Sequence, residues 1–258
     1  FTDRLIAFID AGLDDGRPFF AFAAYTSPHW PLQVPDAWLD RYRGAYDEGY
    51  DVLRARNFAA LIRAGIIPAD SRLPPGHASI PRWADLDADT RRVEARKMEL
   101  YAAMVENLDH HVGRLLDHLQ ARGVLDNTLV VFMSDNGAAG SEDFYSAGPF
   151  VEYVRGHYDN RYENMGRPDS WVSYGPPWAQ AGSAPFSMYK TYTRQGGIAA
   201  QLIIAGPGVA ARGGLSHAYA TVMDIAPTLL EVGAASYPDD GSVRPMEGRS
   251  MAPLLAGR

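Results

Sequence analysis

The stretch Thr-Leu-Val-Val-Phe-Met-Ser-Asp-Asn-Gly, from Thr128 to Gly137, constrains the fold more than any other part of the chain. Leu129 to Met133 is an unbroken apolar run with two adjacent β-branched residues, the pattern of a strand covered on both faces in the middle of a sheet. The run stops abruptly at Ser134, Asp135 and Asn136, which places polar side chains at a strand's carboxyl end. In open α/β sheets that edge is where ligands bind, and the side-chain oxygens of Asp135 and Asn136 suit a hard cation such as Ca²⁺ or Mg²⁺. A simple turn is the alternative, because Asn-Gly is among the commonest turn dipeptides.

A second run of the same kind spans Pro18 to Tyr25 and leads into Thr26-Ser27-Pro28-His29-Trp30-Pro31. A strand is predicted here too. The two prolines restrict the backbone on either side of His29, so this imidazole is held stiffly at a strand terminus, although a lone loop histidine is often only a surface residue. Before it, Thr2 is placed to cap a helix that points Leu5, Ile6, Phe8 and Ile9 into a core and ends at Gly12. After it, residues 36–67 read as helical pieces and 68–81 as a loop rich in Pro, Gly and Ser, in which His77 is solvated.

The longest regular element runs from an N-cap at Asp89 or Thr90 to a stop at Gly123. Met98, Tyr101, Val105, Leu108, Val112, Leu115 and Leu119 recur in steps of three and four and predict one apolar stripe on a helix roughly 48 Å long at 1.5 Å per residue. His110, His111 and His118 do not share a face at metal-binding spacing and read as solvent or rim residues.

From Gly137 to Tyr189 periodicity fades while glycines and aromatic residues accumulate. This is the composition of a wall of loops that packs on itself and lines a pocket. The wall ends in Tyr189-Lys190-Thr191-Tyr192-Thr193-Arg194-Gln195-Gly196-Gly197. A strand is predicted over 199–205, a turn at Gly206-Pro207-Gly208, a short strand over 216–223, and a helix capped by Asp224 and closed by Gly233. The tail to Arg258 is rich in Pro and Gly.

Composition narrows the chemistry. The chain has 258 residues, 47% of them apolar, enough for a sizeable core. A net charge of -7 argues against a nucleic-acid backbone as the main partner. No stretch approaches the ~20 apolar residues of a membrane span. There are no cysteines, which removes disulfides, cysteine zinc sites and thiol nucleophiles together and leaves the compartment open.

With Ser-Pro-His29-Trp-Pro, Ser134-Asp135-Asn136-Gly137, and Tyr189-Lys190 followed by Gly196-Gly197 in hand, the sequence resembles the sulfatases. It is most similar to bacterial formylglycine-type, calcium-containing arylsulfatases of the alkaline-phosphatase superfamily. The similarity also takes in Met104-Val105-Glu106-Asn107-Leu108-Asp109, Tyr158-Asp159-Asn160 and the stretch from Met223 to Leu230. It implies an α/β fold, an alkaline-phosphatase-like mixed sheet flanked by helices, incomplete in this chain. It implies that Asp135 and Asn136 supply two ligands to one Ca²⁺, the others lying outside the chain, and that His29 and Lys190 contact the sulfate and assist the departing oxygen. Asp135 could also take a proton from the nucleophile. The partner implied is a small-molecule sulfate ester.

The chain departs from the family at its nucleophile. Formylglycine is made from Cys or Ser in a Cys/Ser-x-Pro-x-Arg signature, and no such string occurs here. Residues 1–258 are therefore expected to be the C-terminal part of a sulfatase catalytic domain, with the tail from about 234 leading toward the family's small C-terminal subdomain. A complementary N-terminal segment or chain would then carry the nucleophile, and this chain alone is not expected to catalyse the reaction. Two alternatives stand beside hydrolysis of sulfate esters. One is a phosphomonoester or phosphonate hydrolase of the same superfamily, against which Asn136 argues, since zinc members place His after this Asp. The other is a non-catalytic remnant that binds an anionic ester or a partner.

Overall fold

The computed structural model describes residues 1–140, 149–211 and 213–258. The chain divides into two compact units. The first comprises residues 1–118 and 136–199, the second 119–135 and 200–258.

The first unit is built of helices and long ordered connections: α1 (Thr2–Asp14), α2 (Gly49–Arg63), α3 (Ala88–Ala121, whose last turn falls in the second unit), α4 (Pro149–His157), α5 (Gly175–Gly182) and the short α6 (Gln195–Ile198). Its centre is Trp178 on α5, 1% exposed, with the rings of Tyr46, Tyr50 and Trp83 meeting it edge-on at 5.8, 5.5 and 5.9 Å. The indole N–H donates to the Glu94 carbonyl at 3.0 Å, so the largest side chain of the core leaves no buried donor unsatisfied.

The long helix begins one or two residues before the predicted caps. Asp87 accepts the Thr90 backbone N–H at 2.9 Å and its hydroxyl at 2.6 Å, which makes Asp87 the capping side chain. Its face is also rotated from the predicted stripe. Met98 and Leu119 are buried, but Val105 is 41% exposed, and the most deeply buried row of the N-terminal half is Arg96, Glu99, Leu100 and Ala103. That i, i+3, i+4, i+7 row escapes an apolar pattern because two members are charged. Arg96 Nη1 lies 2.9 Å from Glu99 Oε2 and 2.8 Å from the Leu39 carbonyl, and Glu99 Oε1 accepts the Gly44 N–H at 2.8 Å, so the pair pins the 39–44 turn onto the helix.

Two further expectations for this unit need correction. Helix α1 passes through Gly12 and stops only where Gly16 takes a left-handed φ of 69°. Thr2 does not cap it. The Thr2 hydroxyl is buried against the Tyr25 hydroxyl at 2.8 Å, while Phe8 faces outward. The predicted strand over 18–25 does not form, because among the described residues no neighbouring strand offers it a ladder, and Phe20 and Phe22 are each 78% exposed. Of the aromatic-rich stretch, α4 and α5 are helices rather than loops, while residues 141–148 lie outside the described ones.

In the second unit the end of α3 matches its prediction. Gly123 has φ 70°, its N–H reaches the Gln120 carbonyl and the Val124 N–H reaches Leu119, the paired bonds of a Schellman stop. The apolar run forms β1 (Val130–Met133), which pairs antiparallel with β2 (Leu202–Ala205), Val130 opposite Ala205 and Met133 opposite Leu202. Among the described residues these two strands make a two-stranded sheet, and the face carrying Phe132 and Ile203 is open, at 37% and 59% exposed. Residues 216–221 are not a strand; a single helical turn at Val222–Asp224 leads into α7 (Ile225–Val232). The Asp224 carboxylate turns back to accept the Thr221 N–H at 2.7 Å and the Arg249 N–H at 2.7 Å, fastening the tail to the helix start instead of capping α7 itself. Thr228 adds a second fastening, accepting the Met251 N–H at 2.8 Å ahead of α8 (Ala252–Leu255).

Candidate active site

His29 and Lys190, 161 positions apart in the chain, meet in the first unit with Lys190 Nζ 3.3 Å from His29 Nε2. The other ring nitrogen, Nδ1, lies 2.7 Å from the Trp30 carbonyl. That carbonyl can only accept, so Nδ1 carries the proton and Nε2 faces the lysine as an acceptor. The histidine is exposed and the lysine half-buried, so a solute can reach both.

The backbone around them explains the convergence. On the histidine side, Leu32 N–H bonds the Val172 carbonyl, Val34 N–H bonds Gly166, and the Gln33 amide donates to Ser170 at 2.8 Å, which ties the loop after His29 to the 166–172 segment. On the lysine side, the Lys190 N–H bonds the Ala138 carbonyl at 2.9 Å and the Gly137 N–H bonds the Gly197 carbonyl at 3.0 Å. The glycines are needed for this close stacking. A Cβ on Gly137 would sit 1.9 Å from the Gly196 carbonyl oxygen, and one on Gly196 would sit 2.1 Å from the Met188 carbonyl oxygen. Met188 and Thr191 flank Lys190 with φ of 71° and 83°, conformations costing on the order of 1–3 kcal/mol each, and for the β-branched Thr191 an outlier. Strain of this kind persists only where surrounding contacts over-determine it.

Asp135 and Asn136 follow β1 as expected, Asp135 exposed and Asn136 half-buried. The division of the chain falls between them: Asp135 ends the second unit's first segment, and Asn136 opens the stretch of the first unit that runs beside Lys190 and Gly196. Their donor chemistry, one carboxylate and one amide oxygen, fits part of a hard-cation site. Among the described residues no group of three or more His, Asp or Glu side chains gathers in metal-binding fashion.

Three features of the site leave little or no mark in the sequence. The roles of Gly137, Gly196 and Thr191 are backbone roles, and their traces in the sequence are only the glycines of Asn136-Gly137 and of the Gly196-Gly197 pair. Trp171 stands in no motif, yet its ring lies 6.3 Å from Trp30, next to His29. Asn160 holds it there by a two-way clamp, accepting the Trp171 N–H at 2.6 Å and donating to its carbonyl at 3.0 Å. The neighbouring Asp159 is held down at about 2 by hydrogen bonds from Arg161. A cleft of about 520 Å³, lined in part by Phe186, Ser187, Arg194 and Gln195, borders the Gly196 turn without including His29 or Lys190.

A protein-family model described as Sulfatase matches residues 1–234, and the chain belongs to the sulfatase family. It is 42% identical over 243 residues to an uncharacterized sulfatase of Schizosaccharomyces pombe, covering 92% of this chain and 43% of that protein. It is 41% identical over 217 residues to an arylsulfatase of Klebsiella aerogenes, covering 83% of this chain and 46% of that protein. The chain thus spans a little under half the length of these curated relatives. Among solved structures it resembles the crystal structure of Ps i-CgsB, with a TM-score of 0.55 and 20% identity over 99% of this chain and 37% of that one. At that identity the likeness concerns the fold alone: an alkaline-phosphatase-like α/β arrangement, of which this chain carries helices and a small sheet.

Proposed function

We propose that the protein carrying this chain hydrolyses sulfate esters to an alcohol or phenol and inorganic sulfate, with aryl sulfates as its substrates. The observation that carries this reading is the 3.3 Å approach of Lys190 Nζ to His29 Nε2. As the S–O bond of a sulfate ester breaks, negative charge gathers on the departing oxygen. An ammonium group and, once Nε2 is protonated, an imidazolium aimed at that oxygen stabilise the charge more than they stabilise the ground state. Lys190 holds the sulfate and the oxygen it releases. His29 Nε2, once protonated, passes its proton to the leaving group, and the Trp30 carbonyl keeps the ring aimed through Nδ1.

Asp135 and Asn136 would hold a Ca²⁺ ion together with donors from a further segment, since calcium takes six to eight oxygens. Bound there, the ion would supply positive charge to the sulfate oxygens. The nucleophile, formylglycine by family resemblance, belongs in this reading to a segment other than these 258 residues.

The test uses the native protein expressed from its whole reading frame. His29→Ala and Lys190→Ala should each lower kcat by about 10²-fold or more while the melting temperature is kept. Across aryl sulfates of graded leaving-group acidity, His29→Ala should be mildest on the nitrophenyl ester, which needs little protonation, and Lys190→Ala should be even across the series. A His29→Ala enzyme impaired equally on every ester would exclude the general-acid role. A wild-type protein that cleaves phosphate esters and leaves sulfate esters untouched would exclude the function itself.

A further inference from the structure

The cleft of about 520 Å³ beside the Gly196 turn takes no part in the chemistry of His29 and Lys190, yet it has the size of a small-molecule site, about 300–1,000 Å³. Its lining joins two kinds of residue. Pro74, Phe186 and Ile198 are apolar, and Ile198 is 65% exposed; Ser187, Thr193 and Arg194 are polar. Among the described residues no carboxylate lines the cleft, and none pairs with the Arg194 guanidinium. Acidic side chains outnumber basic ones in this chain, 31 to 24, so a cation left without a counter-charge is a property of the cleft and not of the composition.

The lining is fastened before any ligand arrives. The Arg194 carbonyl accepts the Gly197 N–H at 2.8 Å and the Ile198 N–H at 3.2 Å, and a Cβ on Gly197 would sit 2.1 Å from the Tyr192 carbonyl oxygen, so the 192–198 turn is closed on itself. On the side of Pro74, the buried Arg54 donates from Nη1 to the Pro74 carbonyl at 2.8 Å. The Gln180 side chain accepts the His77 N–H at 2.8 Å, which ties the same segment to α5. A preformed lining reduces the ordering cost of binding.

We propose that this cleft binds an organic carboxylate that carries a ring. The Arg194 guanidinium takes the carboxylate, whose two oxygens match its planar fork, with the Ser187 and Thr193 hydroxyls as further donors. The ring covers Pro74, Phe186 and Ile198. An inorganic anion would leave that apolar surface in water, and a neutral ring would leave the guanidinium unpaired, so the lining selects a ligand with both parts. Arg194, the one charged residue of the lining among the described residues, matches the single charge of a carboxylate. The site does not depend on the hydrolytic reading, because it includes neither His29 nor Lys190.

The probe is 4-fluorobenzoate, titrated with the protein expressed from its whole reading frame and followed by its fluorine NMR line width. Binding should be saturable. The neutral 4-fluorobenzyl alcohol, which keeps the ring and lacks the charge, should bind at least about tenfold more weakly, and acetate or inorganic sulfate at matched concentration should not displace the benzoate. Arg194→Gln should weaken binding about 5- to 10-fold and Ile198→Ser about 2- to 5-fold, while Lys190→Ala should leave it within about twofold. Near-ultraviolet circular dichroism checks that each variant keeps its fold, and if Arg194→Gln does not, Ile198→Ser decides. Absent saturable binding, binding that the folded cleft variants leave unchanged, equal binding of the alcohol, or displacement by acetate or sulfate would overturn the proposal. Loss of binding in Lys190→Ala would overturn it too, by placing the anion at the catalytic pair.

Discussion

Trp178 in the first unit and Ile203 in the second are both apolar side chains on regular elements, yet one is 1% exposed and the other 59%. Around Trp178, three aromatic rings and a backbone carbonyl meet every face and the one polar hydrogen. Around Ile203 there is, among the described residues, a single partner strand, and a two-stranded sheet is marginal in water unless a further layer covers it. The second unit compensates through backbone fastenings, with Asp224 and Thr228 tying the tail to α7. The first unit is thus organised by burial and the second mainly by hydrogen bonds, and the two should respond differently to substitution.

The largest effect should come from Trp178→Ala. Emptying the centre of the first unit should cost about 3–5 kcal/mol in denaturant unfolding, and a loss under about 1 kcal/mol would mean that the aromatic cage does not organise that unit.

Next comes Glu99→Gln. It removes the buried counter-charge of the Arg96 guanidinium and leaves it only the exposed Asp40 carboxylate at 3.4 Å, at an expected cost of about 3 kcal/mol. Replacing both residues, Arg96→Met with Glu99→Leu, should cost much less, because no uncompensated charge is then left inside. A double variant as unstable as the single one would show that the pair's hydrogen bonds to Leu39 and Gly44 matter more than its charge balance.

A pH series should separate the units more gently. Burial, with nearby Asp51, Glu94 and Asp85, pushes the Tyr50 phenol up to about 12, and its hydroxyl donates to the Pro81 carbonyl at 2.6 Å. The folded state therefore keeps a proton that the unfolded chain has released. The corresponding stability is whole below about pH 10 and is lost as pH rises toward 12, falling by on the order of 1 kcal/mol for each pH step across that window. Tyr50→Phe should reduce that alkaline slope in thermal melts without abolishing it, since burial also pushes up the phenols of Tyr46, Tyr101 and Tyr174; an unchanged slope would assign it to those residues.

The smallest effect belongs to the second unit. Ile203→Thr keeps a β-branched side chain on a mostly exposed position and should change stability by no more than about 0.5 kcal/mol. A loss above about 2 kcal/mol would erase the contrast between the units, since it would mean that this sheet face is covered in solution.

Much of the local structure was legible in the chain, for a reason that is itself local. The stop at Gly123 and the strand at Val130–Met133 depend on the φ preferences and side-chain lengths of a few adjacent residues, whereas α7 ends at Val232 beside Gly233 as expected but with Ala234, φ 51°, as its left-handed residue. The family was legible too, because its marks are short strings in a set order. The buried row on α3 was hidden because an apolar pattern discounts Arg96 and Glu99, whose burial is tolerable only once each has met the other. The strand expected at 18–25 failed for the converse reason. Its residues have the right propensity, but a strand exists only through a partner's hydrogen bonds, and propensity does not supply the partner.

The candidate site divides in the same way. His29, Lys190, Asp135 and Asn136 could be named from the sequence, since each sits where a polar residue follows an apolar run or stands in a family string. Their meeting could not be. The 3.3 Å approach of Lys190 to His29 depends on Gly137 and Gly196 letting backbones stack closer than any Cβ allows, on two strained residues flanking the lysine, and on bonds from residues 32–34 to 166–172. Those are contacts between segments far apart in the chain. By itself the sequence determined which chemistry was available and which turns the backbone would take; only the tertiary structure decided which groups face each other, because distance in space is set by the packing of the whole unit and not by any stretch within it.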